Sequence, residues 1–67
     1  MTDLIEGIKQ EQQRVREVII PRYEEIGPNG AFGLLMLRRS LERADRALAG
    51  DDLAEMIRAY KDLEGCE

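Results

Sequence analysis

Apolar side chains in the first third of the chain recur at alternating intervals of three and four residues. The stripe that they form, with one polar member, consists of Ile5, Ile8, Gln12, Val15 and Ile19. Such spacing places side chains along one side of an α-helix, so it predicts an amphipathic helix over about residues 3–20. Leu4 and Val18 widen its apolar face.

Pro21 follows this helix directly. Proline lacks the amide hydrogen that would bond to the carbonyl of Glu17, and its ring clashes with that carbonyl. The helix must therefore either end or kink at this point. We favour a kinked continuation to about residue 26, because Ile26 returns to the apolar stripe. A full stop at Pro21 is the alternative.

The segment Gly27-Pro28-Asn29-Gly30 predicts a turn. Proline presets φ at the second position, asparagine tolerates the third and glycine closes the turn. Asn29 is also a candidate cap for the helix that follows. That second helix is predicted over about residues 30–49, because one stripe collects Leu34, Leu37, Leu41, Ala44 and Leu48.

A tight corner is predicted between the second helix and a third one over about residues 52–64. Gly50 follows the last periodic residue, where helices often end in a left-handed residue. Asp51 or Asp52 then caps the third helix, and Asp52 with Glu55 matches a capping box. The expected buried face of this helix consists of Leu53, Met56, Ile57, Tyr60 and Leu63. We therefore expect an all-α domain in which the second and third helices form an antiparallel hairpin.

The amino-acid composition excludes several kinds of catalytic site, disulfide framework and metal site. The chain has 67 residues, which allow one domain with a marginal core, and it contains no histidine and one cysteine. These counts exclude Ser–His and Cys–His catalysis, a disulfide framework and a four-cysteine zinc site. Glu64 and Glu67 are expected to raise the pKa of the Cys66 thiol, which weakens it as a nucleophile. We expect no enzyme activity, no cofactor and no metal.

Three glycines at Gly27, Gly30 and Gly33 suggest a nucleotide-binding loop at first sight. The dinucleotide fingerprint uses other spacings and follows a strand, and a phosphate loop would continue with Lys and Ser or Thr. Neither condition is met. We interpret Gly27 and Gly30 as turn residues and expect Gly33 to let another helix approach closely.

The second helix carries the one basic cluster, which comprises Arg38, Arg39, Arg43 and Arg46. Against Glu42 and Asp45 these four arginines give residues 31–50 a net charge of +2, although the whole chain carries −4. Arg39, Arg43 and Arg46 share one face. That face is either solvated and paired in part with Glu42, or a docking site for an acidic protein. It could also serve a dimeric DNA-binding regulator, but an acidic chain repels phosphate.

Phe32, Leu35 and Met36 point away from the leucine stripe, so the start of the second helix is apolar nearly all round. A helix that is apolar on every side must be buried on every side. Either the other two helices cover it, or a second copy of the chain does. We favour a homodimer, because small domains often supplement a weak core by association. The expected interface comprises Tyr23, Ile26, Phe32, Leu35 and Met36.

The start of the chain is acidic from Asp3 onward and has neither a cationic segment nor an apolar core, unlike a secretory signal. The longest apolar run is 34–37, far below the ~20 residues of a membrane span. A single cysteine suits a reducing interior. We therefore expect a cytoplasmic protein without a membrane segment.

Two segments resemble small accessory proteins of Mu-like transposable phages and prophages. They are IIPRYEEIGPNGAFG at 19–33 and RADRALAGDDLAEMIRAYKDLEGCE at 43–67. This resemblance implies a phage or prophage protein that binds and modulates a host or phage protein, and it assigns no site residues. Separately, ALAGDD followed by IRAYKDLE resembles the corner of a tetratricopeptide helix pair, which implies a helical hairpin.

Overall fold

A computed structural model of the chain describes residues 3–66, and the all-α prediction is confirmed: the elements in this range are all helical. In chain order they are α1 (Leu4–Arg14), a π-helical turn (Val15–Ile19), α2 (Ile20–Glu25), a 3-10 turn (Gly27–Gly30), α3 (Ala31–Gly50) and α4 (Leu53–Glu64). α4 packs against both α1 and α3, and α2 packs against the start of α3. The core lies between α1, α3 and α4.

The helix continues past Pro21, as predicted, because the turn before the proline widens. The amide of Ile20 bonds to the carbonyl of Val15, five residues earlier, which is the π-helical pattern. Pro21 then stands in the first turn of α2, where a missing amide hydrogen costs little. The continuation ends at Glu25, so Ile26 already belongs to the following turn.

The segment from Gly27 to Gly30 forms the predicted turn, but Asn29 does not cap the next helix. Gly27 adopts a positive φ of 75°, which glycine tolerates without strain. The cap position of α3 is Gly30, and no side chain bonds to the backbone there. The 3-10 turn runs directly into α3, and the amide of Ala31 bonds to the carbonyl of Pro28. The helix start therefore obtains a partner from the turn itself.

The corner after α3 differs by one residue from the prediction. Gly50 is the last residue of α3, and the left-handed residue is Asp51, with φ 57° and ψ 17°. Aspartate adopts this conformation more readily than most residues with a side chain. Asp52 is the cap of α4, since its side chain accepts from the amides of Ala54 and Glu55 at 3.0 and 3.4 Å. The expected capping box is incomplete, because the Glu55 carboxylate instead accepts from Arg58 at 2.6 Å.

Replacing Asp51 by glycine is expected to stabilise the fold. The left-handed backbone strains any residue with a Cβ by about 1–2 kcal/mol, and the flexibility of glycine in the unfolded chain returns part of that gain. We expect the free energy of unfolding to rise by about 0.5–1 kcal/mol in urea titrations. Gly27→Ala places a Cβ at the other positive φ and should lower stability. A loss of stability in Asp51→Gly would contradict the strain at this corner.

The core consists of residues from α1, the π-helical turn, α3 and α4. Its buried apolar side chains are Ile8, Val15, Ile19, Leu37, Leu41, Ala44, Ala47, Met56, Ala59 and Leu63. Most members of the predicted stripes lie in this core or at its edge, but Ile5, Leu53 and Ile57 are exposed, so their assignment to the buried faces was wrong. On α4 the buried stripe is centred on Ala59, whose small side chain lies fully buried. Centring the stripe there turns Leu53 and Ile57 outward.

One polar side chain belongs to this core. Gln12 is 4% exposed, and its Nε2 donates to Asp45 Oδ1 at 2.8 Å and to the carbonyl of Leu41 at 3.5 Å. Arg14 forms a second tie, because its guanidinium donates to the carbonyl of Leu63 at 2.9 Å. The two bonds of Gln12 join α1 to α3, and the bond of Arg14 joins α1 to α4. They satisfy polar groups that burial would otherwise penalise.

Candidate protein interaction surface

The first two turns of α3 expose a cluster of large apolar side chains. Phe32 is 74% exposed, Leu35 49% and Met36 46%; we call these three residues the apolar patch. Leu35 and Met36 follow Phe32 by three and four residues, so both neighbour it on one side of the helix. In the part of the chain that the structure describes, none of the other helices buries them. Coverage by the chain's own helices, one of the two expectations, is therefore wrong.

Ile26 and Tyr23, the other two residues of the expected interface, lie in different surroundings. Ile26 is exposed in the turn that precedes α3. Tyr23 is half-buried and packs against the core, and its ring lies on the backbone of Gly33. A Cβ on Gly33 would overlap this ring, which confirms that Gly33 permits a close approach. Tyr23 therefore supports the start of α3 from below, whereas Ile26 extends the exposed apolar surface.

Three arginines continue the same side of α3 beyond the apolar patch. Arg39, Arg43 and Arg46, which we call the arginine stripe, follow Phe32 at intervals of seven, four and three residues. Arg46 pairs with Glu42 at 3.8 Å, as the solvated interpretation requires, and Arg43 pairs with Asp62 of α4 at 3.9 Å. The pair of Arg46 with Glu42 joins two exposed side chains and contributes little stability. The Asp62 side chain is half-buried, but at 3.9 Å its contact with Arg43 is long as well. The stripe therefore presents positive charge that its own carboxylates hold only loosely.

A groove of about 540 Å³ opens beside Met36, between α3 and the end of α4. Ser40, Lys61, Asp62 and Cys66 are among its lining residues. Burial and the neighbouring Asp62 carboxylate raise the pKa of the Cys66 thiol, while a hydrogen bond with Ser40 and the nearby Arg14 oppose the rise. The thiol donates to the Asp62 carbonyl at 3.4 Å. The protonated thiol is a poor nucleophile, so the groove does not supply an activated sulfur.

The predicted direction of this pKa change is right, but its cause differs. Burial is the largest contribution and Asp62 the next, whereas Glu64 does not contribute to the rise. Glu67, the other residue expected to act, lies outside the described residues. The proximity of Asp62 to Cys66 is local, since the two residues are four positions apart, so it was predictable from the sequence. The proximity of Asp62 to Arg43 was not, because it depends on how α4 packs against α3.

In residues 3–66, no group of three or more metal-ligating side chains is arranged to hold a metal ion. No helix in the same range is both long enough and apolar enough to cross a membrane. Comparison with protein-family models, with curated proteins and with solved structures gave no match.

Proposed function

We propose that this protein is a non-catalytic protein–protein interaction module and that the outer side of α3 is its contact surface. The observation that carries the proposal is the exposure of Phe32 beside Leu35 and Met36 on a helix whose opposite side is fully packed. Contiguous exposed apolar side chains on a small domain mark sites of association. Phenylalanine, methionine and arginine are also the residue types that are enriched in protein interfaces.

The chemistry of this surface indicates which side chains a partner protein would present to it. An apolar half, which contains Phe32, is followed along α3 by a cationic half, which ends at Arg46. A complementary protein surface would bring apolar side chains to the first half and carboxylates to the second. The resemblance of residues 19–33 and 43–67 to phage proteins supports a narrower proposal. On that proposal the chain is a phage or prophage accessory protein that acts in the cytoplasm by binding and modulating a host or phage protein.

The contact surface needs a rigid support, and we infer that α3 and α4 supply it as an antiparallel hairpin. The two-residue corner of Asp51 and Asp52 joins the helices. Farther from that corner, Arg43 on α3 meets Asp62 on α4. Helices joined by so short a corner and in contact over this length are typical of a hairpin. A kink of the preceding helix at Pro21 would let α2 turn toward the start of α3.

The test of the proposed function is the loss of partner capture in Leu35→Glu. A carboxylate in the centre of the apolar patch would be desolvated on binding, which is unfavourable, so affinity should fall by at least tenfold. In-cell photo-crosslinking followed by mass spectrometry measures the captured proteins. Val18→Glu is the matched control, since Val18 is 42% exposed on another helix. Equal capture by wild type, Leu35→Glu and Val18→Glu would contradict the proposal.

A dimeric DNA-binding regulator is the second candidate, because the arginines at positions 38, 39, 43 and 46 are all exposed. Binding to phosphate releases counterions, so its affinity for duplex DNA would fall steeply between about 50 and 200 mM salt. Fluorescence anisotropy with a labelled duplex separates the candidates. DNA binding that Arg39→Gln and Arg43→Gln abolish would favour the regulator, and no binding at low salt excludes it.

A further inference from the structure

We propose that a second copy of this chain covers the apolar patch and packs antiparallel across α3 around a two-fold axis near Leu35 and Met36. In this arrangement Arg39 of each copy lies over the Phe32 ring of the other. The inference rests on the proposed function, which assigns the outer side of α3 to protein contacts, and it names the occupant of the apolar half.

The weakness of the core supplies the reason for association. Three of its ten buried apolar residues are alanines, namely Ala44, Ala47 and Ala59. Alanines contribute little apolar area, and a chain of 67 residues buries a smaller fraction of its surface on folding than a larger domain does. Small domains commonly gain the missing stability by association. Covering Phe32, Leu35 and Met36 would add the large apolar side chains that the core lacks.

The symmetry of a dimer decides which residues lie at its centre. In a two-fold interface a residue on the axis meets its own equivalent, so it must tolerate itself. Leu35 and Met36 are uncharged and flexible, and they satisfy this condition. Arg43 and Arg46 do not, because like charges would meet. The axis therefore falls in the apolar half of the outer side of α3.

The charges also select the antiparallel direction. A parallel pair would set Arg39, Arg43 and Arg46 beside their equivalents along the whole stripe. In the antiparallel pair, a rise of 1.5 Å per residue puts each Arg43 about 11 Å from the axis, so the two are about 22 Å apart. This separation exceeds the Debye length of about 8 Å at physiological ionic strength, and the repulsion is screened. Only the antiparallel pair buries the apolar patches of both copies without placing their arginine stripes side by side.

The same register brings Phe32 and Arg39 together. Phe32 lies as far before an axis between Leu35 and Met36 as Arg39 lies after it, so each ring faces a guanidinium of the other copy. A cation over an aromatic face is attracted by the ring. Arg43 and Arg46 remain outside this contact, one pair at each end of the dimer. The assembly would thus offer two equivalent cationic sites to the acidic segments of a partner.

Site-specific cross-linking of the purified full chain tests the direction. In a Cys66→Ala background, L35C and R46C are treated with a short bis-maleimide, with L53C as the exposed control for random collisions. We expect L35C to cross-link at least tenfold faster than either other variant, because R46C thiols would be about 30 Å apart. Equal rates for L35C and R46C would overturn the antiparallel direction. An L35C rate no higher than that of L53C would overturn the second copy as occupant.

Sedimentation equilibrium tests the contact between Phe32 and Arg39. Phe32→Leu and Arg39→Gln should each weaken dimerisation by about fivefold, and the double variant by little more than either one. Losses that simply multiply would overturn this pairing. Cross-linking and sedimentation equilibrium use the purified protein alone, so their results do not depend on the capture of a partner. A monomer that still captures another protein would overturn the dimer alone, and a dimer that captures no protein besides its own second copy would overturn the proposed function alone.

Discussion

Replacing Leu41 by alanine is expected to lower the free energy of unfolding by about 2–5 kcal/mol. Leu41 is 7% exposed in the middle of α3, and its carbonyl accepts from the buried Gln12 side chain. Its neighbour one turn later is Ala44, which is too small to move into the space that is left. A domain of this size has a total stability of about 3–10 kcal/mol, so the loss removes much of it. Thermal melting followed by circular dichroism measures the effect.

Leu53→Ala is the matched control, since it deletes the same atoms from a side chain that is 63% exposed. Its stability should stay within about 0.5 kcal/mol of the wild type. Leu41→Ala with the melting temperature of Leu53→Ala would mean that the leucine stripe of α3 does not form the core.

The helices themselves were predictable because the periodicity of apolar residues is a local property. Leu37 and Leu41 lie on the buried side of α3, as their spacing predicts, and Asp52 caps α4. Continuation past Pro21 was also predicted, but its stated reason was wrong, because Ile26 is exposed in the turn after α2 and does not rejoin the buried stripe. The form of that continuation was not predictable, because a π-helical turn depends on the balance between a lost backbone bond and the packing of Val15 and Ile19.

Errors in the predicted core arose from contacts between helices. Ile57 was expected to be buried and Ala59 was not considered, because large apolar residues seem better core members. The packing of α4 against α1 and α3 decides which of its sides faces inward, and it buries Ala59 while Ile57 stays exposed. The tie between Gln12 and Asp45 has the same origin. Both the packing of α4 and this hydrogen bond involve residues far apart in sequence, so a short stretch of the sequence does not reveal them.

The candidate surface was predictable in part. Excess apolar character around the start of α3 identified Phe32, Leu35 and Met36 from the sequence, and the structure leaves all three exposed. The half-burial of Tyr23 was not foreseen, because the contact between its ring and Gly33 depends on how α2 turns back onto α3. Whether these residues form an interface stays a prediction, to which the cross-linking and capture experiments apply.

Replacing Gly30 by alanine is the second substitution with a large expected effect. A Cβ at this position would overlap the carbonyl oxygen of Tyr23, and it would lie 3.5 Å from the Cβ of Ile26. The φ of Gly30 is −89°, which alanine adopts freely, so the cost is steric and not conformational. Because a backbone atom blocks the space, α2 and α3 must separate, at a cost of about 1–3 kcal/mol or more.

Two further glycines make this prediction specific. Gly50→Ala places its Cβ in open space at the end of α3 and should raise stability by up to about 1 kcal/mol, through helix propensity. Gly33→Ala meets only the ring of Tyr23, which can swing aside, so Tyr23→Ala should relieve its clash but not that of Gly30→Ala. Urea titrations of the three glycine variants, of Tyr23→Ala and of its two double variants with Gly30→Ala and Gly33→Ala measure these differences. A Gly30→Ala protein as stable as Gly50→Ala would contradict the close contact between α2 and α3, and with it the support beneath the apolar patch.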